Sequence, residues 1–173
     1  MIGLEAWYDV QGFIEKGGDV LFAILIATFF LWSLIIERYW YFYGRHRNVI
    51  AETLQAWENR TDHTSWHAHR VREMMISQVK EQTDVNIALI GTMVAVAPLL
   101  GLLGTVTGMI EVFDVMAATG SSSARAMASG VSKATIPTMA GMVAALSGVY
   151  FTAVLTRKAE VEVEKVADMM ELK

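Results

Sequence analysis

Three long apolar runs dominate the chain, with polar stretches of helical periodicity between and after them. The first, Val20 to Ile36, is interrupted only by Thr28 and Ser33 and covers about 26 Å at the helical rise. A second extends from near Ile87 to near Phe113, and a third from about Val131 to Leu155. Runs of this length predict three transmembrane helices. Ahead of them, Leu4, Trp7, Tyr8, Gln11 and Ile14 share one helical face, the pattern of a short helix lying at the interface, and Gly17-Gly18 breaks it. Between the first two runs, Ile50, Leu54 and Trp57 recur at helical spacing, as do Val71, Met75 and Val79. Thr61-Asp62-His63-Thr64 reads as a turn leading into a capped helix. After Arg157-Lys158, Ala159, Val163, Val166 and Met170 recur between glutamates, as on an amphipathic helix that packs on others.

The expected fold is an all-α integral membrane protein with long cytoplasmic helical extensions. Its segments are an interfacial helix (1–18), a first span (19–43), a cytoplasmic helical region (44–86) and a second span (87–116). An external loop (117–130), a third span (131–156) and a cytoplasmic C-terminal helix (157–173) complete it.

Charge sets the orientation. Of the fourteen Lys and Arg, eleven fall on the proposed inner side or at its border, two outside (Lys16, Arg125), and Lys133 within a span. That asymmetry places the N-terminus outside and the C-terminus in the cytoplasm. The basic residues follow the first apolar run, together with the aromatic belt Tyr39-Trp40-Tyr41-Phe42-Tyr43, so this run is a retained span and not a signal peptide. Composition adds limits. The 173 residues are 54% hydrophobic with a mean hydropathy of +0.38, and the net charge of −4 argues against a nucleic-acid partner. The absence of cysteine excludes disulfides and thiolate chemistry.

The second and third runs differ from plain anchors. Gly101, Gly104 and Gly108 in the second, and Gly141 and Gly148 in the third, are small residues at spacings that allow close helix packing in lipid. Pro98 and Pro137 are candidate kinks, and Thr105 and Thr138 offer hydroxyls to a polar interior. The first run is greasy throughout, which predicts that it faces lipid while the other two face inward. Two helices shield only a narrow crevice, so a ring of identical copies around a lumen is expected. Glu111 lies six residues outward of Thr105 and Lys133 five residues outward of Thr138, which places the charges at similar heights. Lys133 is therefore expected to pair with Glu111 at the outer mouth, with Asp114 as the other acidic candidate. His63, His67 and His69 have no cysteine to support them and only Asp62 and Glu58 as nearby carboxylates in an otherwise solvated segment; they read as a surface cluster, so no metal and no cofactor are expected. No nucleophile–base constellation is present, and the chain is not expected to be an enzyme.

Ala97-Pro98-Leu99-Leu100-Gly101-Leu102-Leu103-Gly104-Thr105-Val106 closely resembles the second-span signature of the ExbB/TolQ/MotA proton-channel proteins. Gly130-Val131-Ser132-Lys133-Ala134-Thr135-Ile136-Pro137-Thr138-Met139-Ala140-Gly141 resembles its third-span counterpart. The resemblance covers essentially the whole chain and is closest to a short ExbB of a TonB–ExbB–ExbD system. MotA-type members carry a much larger cytoplasmic region, whereas TolQ shares the core motifs. The resemblance implies a Gram-negative inner-membrane motor subunit that forms a pentamer around the membrane helices of an ExbD-type partner. Proton flow would then energise a TonB-type protein for siderophore or vitamin import; a TolQ-like role in the Tol-Pal envelope system and a non-conducting scaffold are the alternatives. It further implies that Thr105 and Thr138 line the lumen, with Thr135 as a further candidate, and that the proton-carrying aspartate belongs to the partner. ExbB and TolQ usually have glutamate where this chain has Lys133, so the acidic role of that position is not carried over.

Overall fold

The structure is a computed structural model that describes residues 2–119 and 124–170, with side-chain surroundings for 18–118, 127–128 and 130–170. The helices are α1 (Ile2–Tyr43), α2 (Arg45–Glu58), α3 (Trp66–Asp84), α4 (Ile87–Thr119) and α5 (Ala124–Met169). Stretches long and apolar enough to cross a membrane lie within Gly18–Tyr43, Trp66–Ala118 and Gly130–Met169. The side chains of the expected interfacial face (Leu4 to Ile14) and the turn at Gly120 to Ser123 lie outside the described residues.

Two boundaries differ from the sequence reading. The expected external loop, 117–130, is mostly helical, because α4 runs to Thr119 and α5 starts at Ala124 in an alanine-rich stretch of strong helix formers. The third span and the C-terminal helix are also one helix. Arg157 and Lys158, expected to end the third span, do not interrupt the helix, as both are good helix formers. Gly18, by contrast, breaks α1 at φ 64°, where a residue with a Cβ would be strained.

The chain forms two compact units. The first comprises Met1–Trp32 and Thr92–Val149. Within it α4 and α5 run antiparallel along a seam of small residues, in which Val94 meets Gly148, Ala97 meets Gly141, Gly101 meets Thr138 and Gly108 meets Ala134. A Cβ on Gly101 would lie 2.9 Å from the Thr138 Cα, and one on Gly108 would lie 2.8 Å from the Ala134 Cβ. The prolines expected as kinks sit inside unbroken helices, and the buried Pro137 ring fills the space beside Gly104. The first span is not uniformly turned to lipid. Leu21, Ile24 and Leu31 are buried on one stripe, while Phe22, Phe29 and Phe30 are exposed on the other side.

The second unit comprises Ser33–Gly91 and Tyr150–Lys173. Its core is Trp57, Ala68, Val79, Val166 and Met170, with Ile50, Leu54, Met75 and Val163 packed against it, largely the faces that periodicity picked out. Ser65 caps α3 by accepting from the Ala68 N–H at 3.2 Å. Arg72 donates to the carbonyls of Met170 and Ala167 at 2.7 and 2.6 Å, satisfying groups that the end of α5 leaves open. Asn86 takes φ 63° between α3 and α4, and its amide donates to Glu37 at 3.2 Å.

His46 is buried in this unit among the Tyr41 and Phe42 rings, and its Nε2 stands 3.6 Å from a Glu162 oxygen. Burial pushes the imidazole below its ordinary value of 6.5; Glu162 pulls the other way, and Lys158 and Lys165 act with burial. The unfolded chain takes up this proton at the ordinary value, so stability is lost as pH falls below about 6.5. Asp62 also titrates low, because it accepts from the hydroxyl and N–H of Ser65 and the N–H of Thr64, but its window lies below the usual carboxylate value of 3.8. A His46→Phe chain is therefore expected to lose less stability than the parent on acidification from about pH 7 to about pH 5. Thermal unfolding at the two pH values checks this; equal losses in both chains would contradict it.

Candidate functional site: two flanks of the α4–α5 seam

The seam fixes which side chains each helix presents. At about 100° per residue, Thr138 lies about 60° to one side of the direction set by Ala134, Pro137, Gly141 and Ala145. Lys133 lies about 80° to the other side. On α4, relative to Ala97, Gly101, Gly104 and Gly108, Thr105 lies about 70° to one side. Glu111 and Thr107 lie about 50° and 90° to the opposite side. Because the helices are antiparallel, Thr105 and Thr138 fall on one common flank, and Glu111, Thr107 and Lys133 on the other.

The charged flank borders the start of the first span. Gly18, Asp19 and Val20 join Thr107, Glu111 and Lys133 around a crevice of about 280 Å³. Within it Lys133 Nζ donates to Glu111 Oε2 at 2.7 Å, the partner expected from the helical rise. Asp114 is exposed and makes no ion pair among the described residues. Asp19 and Thr107 escaped the sequence reading; Asp19 is brought to the crevice from far along the chain, and only the seam register shows it.

The hydroxyl flank has a single polarity. Thr138 Oγ1 donates across the seam to the Gly101 carbonyl at 2.8 Å. Thr105 Oγ1 donates to Leu102 O at 2.7 Å, and Thr135 Oγ1 to Ser132 O at 3.0 Å. Each hydroxyl hydrogen is thus engaged by backbone, which leaves oxygen lone pairs as the free valence. Thr105 and Thr138 are half-buried and Thr135 is exposed. Large apolar residues elsewhere on these helices stay uncovered, including Leu102, Val106, Met139, Met142 and Leu146. Such an apolar, uncovered surface interrupted by small and hydroxyl residues suits contact with lipid or further membrane helices.

The packing glycines are placed as the spacing implied. Added Cβ atoms on Gly101, Gly104, Gly108, Gly141 and Gly148 would each meet atoms of the neighbouring helix closer than ordinary contact allows. Gly130 belongs with them, since its Cβ would collide with Val112; its place one turn before Ala134 was the available signal. The histidines do not converge: the His63 ring nitrogen lies 3.0 Å from Trp57 O, while His67 and His69 are exposed on α3.

The profile of the MotA/TolQ/ExbB proton channel family matches residues 44–168. The chain belongs to this family. A Helicobacter pylori (strain J99) protein named as a biopolymer transport protein, ExbB-like 1, is 32% identical over 101 residues, covering 58% of this chain and 53% of the relative. A Synechocystis protein of the same name is 31% identical over 164 aligned residues, covering 76% of this chain and 64% of the relative. The Vibrio cholerae biopolymer transport protein exbB1 is 37% identical over 75 residues, 43% of this chain and 33% of that protein. The chain thus spans about half the length of the Helicobacter relative. As a family member with three apolar helices, it is a multi-pass membrane protein.

Proposed function

We propose that this chain is the ExbB-type subunit of an inner-membrane motor that couples proton entry to work on the cell envelope through TonB-dependent import. The observation that carries the reading is the flank on which Thr105 and Thr138 stand together, beside a glycine seam, with only acceptor lone pairs free. Five copies with this flank inward would surround the membrane helices of an ExbD-type partner, with the N-terminus periplasmic and the C-terminus cytoplasmic. The chain itself catalyses no bond-making step.

The physics follows from hydrogen-bond polarity. An acceptor-only wall solvates a protonated carboxyl group, which brings its own donor. A bare carboxylate finds no donor there until a threonine hydroxyl turns away from its carbonyl, so deprotonation and protonation change how the partner helix fits one subunit. Moving one charge across about 100 mV is worth about 2.3 kcal/mol, enough to bias steps between equivalent positions in a ring. No fixed charge on this wall traps the ion. The Lys133–Glu111 pair sits on the opposite flank, where it neutralises itself.

The test is proton uptake into vesicles containing this chain with and without its ExbD-type partner. Uptake driven by an imposed potential is expected only when both are present. Equal flux from the chain alone, or none from the folded complex, would favour a self-contained pore or a non-conducting scaffold respectively.

A further inference from the structure

Two cavities meet at the inner end of the first apolar run, both inside the second unit. One, of about 630 Å³, follows α1 past Ser33, Ile36 and Trp40. The other, of about 550 Å³, is lined by Asn48 and Glu52 of α2. Glu37, Tyr41 and Arg45 line both, so an apolar trough opens directly into a polar one. Trp40 is 78% exposed beside this junction, as expected of a side chain at the headgroup level.

The polar groups here divide into those already engaged and those left over. Arg38 is buried and donates to Gln82 O and to Glu37, and Glu37 also accepts from Asn86. Arg45, Asn48 and Glu52 make no hydrogen bond or ion pair among the described residues, although they share one face of α2 at three- and four-residue spacing. The Tyr41 hydroxyl is shielded from solvent and likewise has no partner among the described residues. An unsatisfied buried hydroxyl carries a desolvation cost that an occupant would remove.

The left-over set is a cation, an amide, a hydroxyl and an anion, arranged beyond an apolar trough at the membrane boundary. A phospholipid carries the complementary series of acyl chain, phosphate and headgroup. Arg45 and Glu52 carry opposite charges; with the phosphate at Arg45, a glycerol headgroup, itself uncharged, would leave the charge of Glu52 uncompensated. A choline headgroup has no N–H to give it. We propose that the joined cavities hold one zwitterionic phospholipid with a primary ammonium headgroup, an ethanolamine-type lipid. Its chain lies along Ser33, Ile36 and Trp40, its phosphate at Arg45 and Tyr41, and its ammonium at Glu52. Bound there, the lipid braces the joint at Gly44, where α1 passes into α2 without a side-chain cap.

Native mass spectrometry of the full chain, released from vesicles of equal ethanolamine, glycerol and choline phospholipid, tests this. The ethanolamine lipid is expected to be retained roughly tenfold over the other two, about the effect of one charge-assisted hydrogen bond. Arg45→Gln should lower retention of all three roughly tenfold, while Glu52→Gln should lower the ethanolamine lipid alone roughly tenfold, to the level of the other two. Both side chains lack partners, so both variants should fold, and thermal unfolding confirms it. Preferred retention of the glycerol lipid, or indifference to both substitutions in folded chains, would overturn the proposal. So would ready disulfide formation between copies through Trp40→Cys in the otherwise cysteine-free chain, which would show protein covering the trough.

Discussion

A Gly101→Leu chain is expected to lose its folded α4–α5 pair, with no thermally cooperative species recovered from the membrane. A Cβ at Gly101 would stand 2.9 Å from the Thr138 Cα, 3.1 Å from the Pro137 carbonyl oxygen and 3.3 Å from the Thr138 carbonyl oxygen. All three are backbone atoms, so no rotamer change relieves the clash. Separating the helices would break the bond from Thr138 Oγ1 to the Gly101 carbonyl and open the neighbouring contacts of Gly141 and Gly108. In lipid there is no hydrophobic gain to offset lost packing, because the tails are as apolar as the side chains. Even alanine here should cost about 1–3 kcal/mol by overpacking. Gly91→Ala makes the contrast. Nothing lies within 4 Å of its added Cβ, and alanine is the better helix former by about 1 kcal/mol. A Gly101→Ala chain that melted no lower than Gly91→Ala would contradict the seam.

The second large effect is expected at the hydroxyl flank. Thr105→Val with Thr138→Val conserves shape and replaces two hydroxyls by methyls. At Thr105 only a local bond to Leu102 O is lost, and the residue is half-buried, so folding should be little affected. At Thr138 the Gly101 carbonyl loses its cross-seam donor, a cost of about 1 kcal/mol in stability. The effect on transport should be larger. Each lost acceptor removes a hydrogen bond from the protonated group passing it, and about 1.4 kcal/mol is a tenfold change in rate. The double variant should therefore conduct at least roughly tenfold more slowly while assembling normally.

Much of this arrangement is legible in the chain, for identifiable reasons. The spans follow from uninterrupted apolar runs, and the seam from glycines recurring at three, four and seven residues. The pairing of Lys133 with Glu111 follows from counting helical rise, since height along a helix depends only on residue number. The side of the helix is harder. It depends on the register of α4 against α5 and on which flank the first span covers, and Asp19 lies too far along the chain for any local pattern to place it in the crevice. The charged pair therefore reads from sequence as the outer mouth of the lumen that the threonines line, although it stands on the other flank. His46 is similar: nothing adjacent to it in sequence announces that Tyr41, Phe42 and Glu162 will enclose it. Helix continuity through Arg157-Lys158 is a third case, because charge reports the membrane boundary and not the end of a helix.

On the proposed mechanism, proton passage uses one flank of the seam and not the other. Thr107 gives the matched control, because it sits on the same helix as Thr105, with its hydroxyl likewise donating to backbone, yet lines the crevice beside Glu111 and Lys133. The decisive measurement is potential-driven proton uptake by vesicles containing the complex with its partner, comparing Thr107→Val with the Thr105→Val, Thr138→Val double variant. Near-parental flux in Thr107→Val and at least roughly tenfold loss in the double variant is the predicted result. Equal loss in both, or parental flux in the double variant, would contradict it.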